Sequence, residues 1–460
     1  MSKVFVIGLD CAEPTLVFDR WREHLPNLSR LMAGGTYGEL TSTIPAITVP
    51  AWSSMLSSKD PGQLGCYGFR NRADYTYENM TIATARMIKA DRVWDILSRL
   101  GKKVIVAAVP QTYPVRPVNG YMISCFLTPS TRSQYTYPAE LKGELEGLIQ
   151  GEYMVDVPQF RTDNKEHLLK QIYDMADQQH QVVKYLLTTK PWDFFIHVDM
   201  GVDRIHHGFW KFFDPRHPLY EPGNPYENAI RDYYLYLDGQ IGEWLQLVDG
   251  DTVVLVVSDH GAKPMVGGIA FNEWLKQEGY LHLEYQPEGL VPLEKCEVDW
   301  DRTLAWGSGG YYARLFLNVK GREPNGIIPP TDYERVRNEL RERIAAITDP
   351  EGVNIGSVAY KPEEIYREVN GIAPDLIVYF GNLSWRSVGS LGLNRIHTFE
   401  NDTGPDDANH AQEGLYILFD PKAQGQGQGP RRHVMDIAPT ILELMDIPVP
   451  AEMQGQPFAR

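Results

Sequence analysis

The chain has 460 residues, 43% of them hydrophobic, and a formal net charge of −16. That apolar fraction supports a sizeable core and excludes a disordered chain, and the length suits one large α/β domain with insertions or two or three average ones. The acidic balance, with no basic run, argues against a surface for polymeric nucleic acid; an anionic ligand would need positive charge supplied locally, as a bound metal could do.

In chain order, "MSKVFVIGLD" opens with an apolar stretch too short for a signal peptide, and "KVFVIGLD" (3–10) is predicted as the first strand. "LPNLSRLMAGG" (25–35) reads as a short helix closed by glycines. "ADRVWDILSRLG" (90–101) is an amphipathic helix and "KKVIVAAVP" (102–110) the next strand. An irregular block follows at 111–163, then a long helix at 164–189, the strand "PWDFFIHVD" (191–199) and a helix at 226–248. That helix feeds "DTVVLVVSDHGAKP" (251–264), whose run Val253 to Val257 is the unbroken β-branched stretch of a strand buried on both faces. From 265 to 350 the chain turns irregular and reads as an insertion or cap with one helix near 332–347. The sheet is expected to resume with "APDLIVYF" (373–380) and "GLYILFD" (414–420), and a helix at 434–447 closes the chain. Alternating strands and helices predict an α/β fold with a mostly parallel central sheet flanked by helices. No run approaches the ~20 apolar residues of a membrane span. Cys11, Cys66, Cys125 and Cys296 lack C-x-x-C spacing and read as free buried thiols in a reducing cytoplasm.

Several Asp and His residues sit just past strand ends, where open α/β sheets gather their ligands. Asp10 ends the first strand, Asp203 and His207 follow the 191–199 strand, Asp259 and His260 end the 251–257 strand, and His410 precedes another. Asp203 and His207 are four apart and on a helical turn would face one way, able to grip one ion. Asp259 and His260 could share an ion only from a sharp turn, which Gly261 permits. Singly, each has a plainer reading: an Asp after a strand is commonly a helix N-cap, "DHG" a turn, and His410 or His206 a surface residue. In "TIPAITVPAWSSMLSS" (43–58), Thr48 stands where Pro50 suits a first helical turn. A hydroxyl there faces free N–H groups and the positive end of the dipole, a setting for an anion, and metal coordination could activate it; the plainer reading is an N-cap threonine.

Taken together and in this order, "VIGLD" with Asp10, "TVPAWSSM" with Thr48, "DRIHH" with Asp203 and His207, "VSDHGA" with Asp259 and His260, and "NHAQEG" with His410 resemble the alkaline phosphatase superfamily, in its type I phosphodiesterase/nucleotide pyrophosphatase branch. The closing "HVMDIAPTILELMDIPVPAEMQGQPF" is similar to the C-terminal segment of these enzymes, while "NVKGREPNGII" and "APDLIVYF" resemble a subgroup of predicted phosphohydrolases or phosphomutases. The resemblance implies one alkaline-phosphatase-like catalytic domain over residues 1–460, with inserted cap segments at about 111–163 and 265–350. It implies two divalent metal ions, Zn²⁺ first and Mn²⁺ as the alternative. One would be held by Asp203, His207 and His410, the other by Asp10, Asp259 and His260 with Thr48 as a further ligand. It implies that Thr48 attacks phosphorus and that water hydrolyses the phosphothreonine, with a small-molecule phosphate ester as substrate, a nucleotide among the candidates, and diesters favoured. In nucleotide pyrophosphatases an Asn often follows the Thr-aromatic-Pro step and helps to bind phosphoryl oxygen; here Ala51 and then Trp52 follow. Trp52, Arg204 and Lys263 are therefore candidate substrate contacts. A sulfatase would need a Cys or Ser nucleophile in a C/S-x-P-x-R context, which Thr48-Val49-Pro50-Ala51-Trp52 does not supply. Phosphomonoester hydrolysis or phosphomutase chemistry on the same site is the alternative, and a non-catalytic ligand-binding relative a more distant one.

Overall fold

The apolar runs of the N-terminal half become the middle of one large sheet in the computed structural model, which describes residues 2–459. The elements that build the site are, in chain order, β1 (Val4–Leu9), α1 (Pro26–Gly34), β2 (Thr36–Thr41), α2 (Thr48–Ser57), α3 (Val93–Arg99), β3 (Val104–Ala107) and β4 (Gly120–Ile123). Then come α4 (Lys165–Thr189), β5 (Phe194–Asp199), α5 (Gly201–Phe213), α6 (Ala229–Leu247), β6 (Val253–Val257) and β7 (Gly261–Pro264). The last third holds β8 (Ala305–Ser308), β9 (Ala313–Leu317), α7 (Tyr333–Ala345), β10 (Leu376–Tyr379), β11 (Ala408–Ala411), β12 (Glu413–Phe419) and α8 (Ile437–Leu444).

The central sheet has ten strands and runs β2-β12-β6-β1-β5-β3-β4 through its middle. From β6 to β4 the neighbours are parallel, whereas β12 is antiparallel to both β6 and β2. Helices cover both faces, so β1, β5 and β6 are buried at every residue. Alternation along β1 divides its side chains between two cores. Phe5, Ile7 and Leu9 pack with residues of α1, α4, α5 and α6, and Val4 and Val6 with residues of α2, α3 and α8. Burial of this extent, at ~25 cal/mol per Å² of apolar surface, is the main stabilising term.

Two expectations about the sheet need correction. The run "APDLIVYF" does not rejoin the central sheet: β10 lies in a separate four-stranded sheet, paired with β9 and with Val358–Tyr360. That sheet and α7 share a core of their own, including Trp306, Leu315, Leu340, Leu376 and Val378. A buried apolar run says that a strand is covered, and not which sheet it joins, so the separate cap core reaches beyond residue 350. The block 111–163 is not wholly irregular either. It supplies β4 and the short strand Thr136–Tyr137 to the sheet edge, together with a helix at Leu141–Ile149. These strands are too short to show a period in sequence. No helix of the described residues is long and apolar enough to cross a membrane.

Candidate active site

Sheet register brings the chemistry-bearing strand ends level. Gly8 pairs with Val198 on one side and Val257 on the other, so Asp10 and Asp259, each two residues beyond this rung, emerge side by side. Asp199 at the end of β5 accepts the Val202 N–H at 3.0 Å and starts α5. One turn of α5 then sets Asp203 and His207 on one face, with His207 Nε2 at 3.2 Å from Asp203 Oδ1. After β6 the chain reverses into β7, which pairs antiparallel with β11 so that Ala262 lies opposite His410. This ribbon stacks the His260 and His410 rings with centroids 3.9 Å apart.

Thr48 does not cap its helix. Ile47 is the extended N-cap, and Thr48 is the first residue of α2 with no capping bond from any side chain there. Its Oγ1 lies 3.5 Å from Asp10 Oδ1 and 3.4 Å from His260 Nε2. Trp52, one turn further along α2, donates its indole N–H to Asp10 Oδ2 at 2.7 Å. Trp52 is fully buried and is absent from the cavity wall, so it orients Asp10 rather than meeting substrate.

The imidazoles share one arrangement. His207 Nδ1 bonds Asp406 Oδ1 at 2.7 Å, His410 Nδ1 bonds the Ala46 carbonyl at 2.9 Å, and His260 Nδ1 bonds the Gly261 carbonyl at 3.1 Å. Since each partner is an acceptor, these contacts place a proton on each Nδ1 and turn each Nε2 inward. His207 Nε2 and His410 Nε2 are 3.2 Å apart, and Asp259 Oδ2 is buried without a hydrogen-bond donor. Nitrogens and carboxylate oxygens converging in this way repel one another unless protons or a metal cation lie among them, and imidazoles fixed through Nδ1 are the usual form of metal ligands. The ligand atoms fall into two groups, each within 4.8 Å: Cys11, Asp203, His207 and His410, and Asp10, Asp259 and His260. All seven residues singled out from sequence are thus in one buried cluster, and the donor set fits divalent cations of the Zn²⁺ or Mn²⁺ kind.

Electrostatics register the crowding of charged groups in this cluster. Burial, reinforced by the Asp203 charge, pushes Asp10 well above the usual carboxylate range, and burial with Asp10 does the same to Asp259. Burial draws His260 down to about 4 and His410 well below its ordinary value. Against burial, Asp406 and Asp203 hold His207 well above the ordinary imidazole value, and His207 and Arg204 hold Asp203 below the usual carboxylate range.

The other proposed contacts fare differently. Arg204 lines the cavity, but it donates to Asp156 at 2.8 Å and bonds Asp203 as well. Lys263 points elsewhere, donating to the Asn382 carbonyl at 2.8 Å, and does not line the cavity. His206 is no surface residue: it is fully buried against Tyr234, whose hydroxyl is 3.3 Å from Nε2. Sequence reading missed Asp406, which accepts from His207, Arg161 at 3.0 Å, Arg386 at 2.7 Å and Tyr311 at 3.0 Å. It also missed Tyr311, whose ring stacks on His410 at 4.1 Å, and Cys11, whose thiol lies beside Asp203, His207 and His410. The only hint was the placing of Asp406 four residues before His410. A cavity of about 850 Å³ opens onto this cluster, with Thr48, Asp203 and His410 in its wall.

A family model for type I phosphodiesterase / nucleotide pyrophosphatase matches residues 4–406. No curated protein matches the chain in direct sequence comparison. Among solved structures it is similar to human ectonucleotide pyrophosphatase/phosphodiesterase 5, at 12% identity over 99% of this chain and 97% of that one, with a TM-score of 0.55. An inactive threonine-to-alanine variant of the murine protein, in complex with AMP, matches at 11% identity over 98% of this chain and 96% of that one, with a TM-score of 0.55. Phosphonoacetate hydrolase from Sinorhizobium meliloti 1021, in complex with phosphonoacetate, matches at 17% identity over 95% of this chain and 94% of that one, with a TM-score of 0.60. At such identities these likenesses establish the fold, an α/β architecture of the alkaline-phosphatase-like kind.

Proposed function

The chain belongs to the type I phosphodiesterase / nucleotide pyrophosphatase family of phosphoester-hydrolysing enzymes, and on that premise we propose that it cleaves phosphodiesters in preference to monoesters through a phosphothreonine on Thr48. The observation that carries this reading is the convergence of three inward-facing Nε2 atoms and three carboxylates on a helix-terminal hydroxyl that caps nothing. Asp203, His207 and His410 would hold one divalent cation, and Asp10, Asp259 and His260 with Thr48 Oγ1 the other. Mixed Asp/His donors favour Zn²⁺, with Mn²⁺ the alternative. Bound there, the cations supply Lewis-acid stabilisation of phosphoryl charge and a lowered pKa for a coordinated hydroxyl.

The residues of the chain do the rest. Thr48 Oγ1, its proton lost to solvent, bonds to phosphorus as the ester P–O bond breaks, and the leaving alkoxide takes a proton from water. A water molecule then forms the new P–O bond from the opposite side, the Oγ1–P bond breaks, and Thr48 is restored. In the first turn of α2 Pro50 has no N–H and the Ala51 N–H is taken by the Ile47 carbonyl, which leaves the Thr48 and Val49 N–H groups and the positive end of the dipole to meet the phosphoryl oxygens, a task that an Asn at the position of Ala51 would otherwise share. The cavity of about 850 Å³ suits a substrate much larger than a phosphoryl group, such as a nucleotide ester, which supports the preference for diesters. Four unpaired cysteines support a reducing, cytoplasmic setting.

The test is Thr48→Ala in metal-loaded protein. Turnover of bis-p-nitrophenyl phosphate should fall by several orders of magnitude, and acid-quenched wild-type protein should carry a phosphoryl adduct on Thr48 that the variant lacks. Near-normal turnover by the variant would refute the nucleophile. Far faster turnover of p-nitrophenyl phosphate than of the diester would overturn the diester preference and favour the monoesterase or phosphomutase reading.

A further inference from the structure

Six arginines line the cavity, and four of them are paired with carboxylates. Arg72 pairs with Glu323 at 3.1 Å, Arg161 with Asp406 at 3.0 Å, Arg204 with Asp156 at 2.8 Å and Arg386 with Asp406 at 2.7 Å. The remaining two, Arg314 and Arg70, are neighbours. Arg314 stands in β9 opposite Ser308 of β8 and is only 9% exposed. Its guanidinium donates to Ser308 Oγ at 2.7 Å and to the Arg70 carbonyl, both neutral acceptors. Among the described residues, no carboxylate oxygen comes within 4.0 Å of the side-chain nitrogens of either arginine. Glu78 and Glu294 share the cavity wall without reaching them.

A guanidinium stays charged at any pH the protein meets, and a charge buried without a counter-ion is costly to the fold. A chain with a net charge of −16 has acidic side chains to spare, yet leaves the buried Arg314 without a carboxylate partner on a cavity wall. Arg314, buried and held by two neutral acceptors, with the exposed Arg70 joined to it through its backbone carbonyl, forms a receptor for an oxyanion, for which arginine's forked donors are suited. The same cavity contains Thr48, Asp203 and His410, so a ligand lying in it can engage both places.

We propose that Arg314 and Arg70 form a second anion site, separate from the metal cluster, which selects substrates carrying a phosphate or carboxylate remote from the ester that is cleaved. The catalytic meaning of this site rests on the phosphodiesterase reading of Thr48; the binding itself does not.

The experiment uses the metal-loaded full chain and competitive inhibition of bis-p-nitrophenyl phosphate hydrolysis. The inhibitors are two ladders of increasing chain length, ω-phosphonoalkanoates and α,ω-bisphosphonates, each compared with a twin whose far terminus is a neutral ester, methyl on the carboxylate and dimethyl on the phosphonate. At one chain length the free terminus should tighten inhibition about tenfold to hundredfold over its twin, as hydrogen bonds to a charged group do. Arg314→Gln should bring that ratio close to one, and Arg70→Gln, at an exposed position, should lower it without touching the interior. A response to phosphonate termini alone assigns the site to phosphate, and a response to both assigns it to oxyanions generally. No chain length separating the twins, or a ratio that survives both substitutions, overturns the proposal. If no phosphoester is turned over, calorimetric titration reads the same ratios. A ratio found there without turnover defeats the phosphodiesterase reading and leaves the anion site standing, whereas turnover with a flat ladder does the reverse.

Discussion

His207 turns its Nε2 inward because Asp406 accepts at Nδ1, at 2.7 Å. The same carboxylate answers the buried charge of Arg386 and the partly buried charge of Arg161, and, against the cost of burial, His207 and Arg386 hold it well below the usual carboxylate range. Asp406→Asn keeps an acceptor for the imidazole but strips the countercharge from both guanidinia. It should cost roughly 3–5 kcal/mol in urea unfolding and weaken retained metal about 10–100-fold by equilibrium dialysis. Asp199, which starts α5, has the opposite problem: burial, only partly offset by the Val202 N–H and the Tyr233 hydroxyl, raises it to about 6 from an ordinary 3.8. A carboxyl raised in the folded state contributes its stability below the unfolded pKa and loses it as pH rises through the folded one. Between pH ~4 and pH ~8 the wild type should therefore lose about 3 kcal/mol on this account. Asp199→Asn, neutral throughout, should gain that much on the wild type over the interval, and parallel pH–stability curves for the two proteins would count against this account.

At the scale of the element, the seating of α2 decides where Thr48 lies. A Cβ on Gly8 would come within 2.6 Å of Trp52 Cη2 and 2.8 Å of Val198 Cγ2, so the helix approaches β1 more closely than any side chain there allows. Gly8→Ala should cost about 1–3 kcal/mol through overpacking. By pushing Trp52 off Asp10 it should also lower kcat/KM for bis-p-nitrophenyl phosphate by as much as about 10²-fold. A variant that loses stability but keeps full activity would show that α2 seats independently. Elements also explain what sequence could reveal. Asp203 with His207, and Asp259 with His260, were legible because one helical turn or one tight turn makes the grouping local. His206 was misread because neighbours on a helix diverge by about 100°, turning it toward Tyr234 while His207 faces His410 and the other candidate ligands. Asp406 joins His207 across 199 residues, a pairing that no local spacing encodes. The β10 run was legible as a buried strand, but its partner sheet depends on β9, which no period in that stretch announces.

Across the whole molecule, the cluster gathers Asp10, Thr48, Asp203, His207, Asp259, His260 and His410, residues drawn from almost the entire chain, and each is nearly or fully buried. The body of the fold therefore encloses three carboxylates, of which burial pushes Asp10 and Asp259 toward their neutral forms. Divalent cations that bind the folded cluster and find no such cluster in the unfolded chain must stabilise the fold by mass action, by about 2.7 kcal/mol at a free concentration one hundred times the Kd. Calorimetry should accordingly show Tm falling with a chelator and rising with added Zn²⁺ or Mn²⁺ until both sites are filled. In Asp259→Asn the metal-dependent part of that rise should shrink, since one cluster loses a charged donor, while Lys263→Gln, whose partner is the Asn382 carbonyl away from the cavity, should leave it intact. A Tm indifferent to chelator and to metal would mean that the converging lone pairs hold no cation, and with that the activation of Thr48 would lose its physical basis.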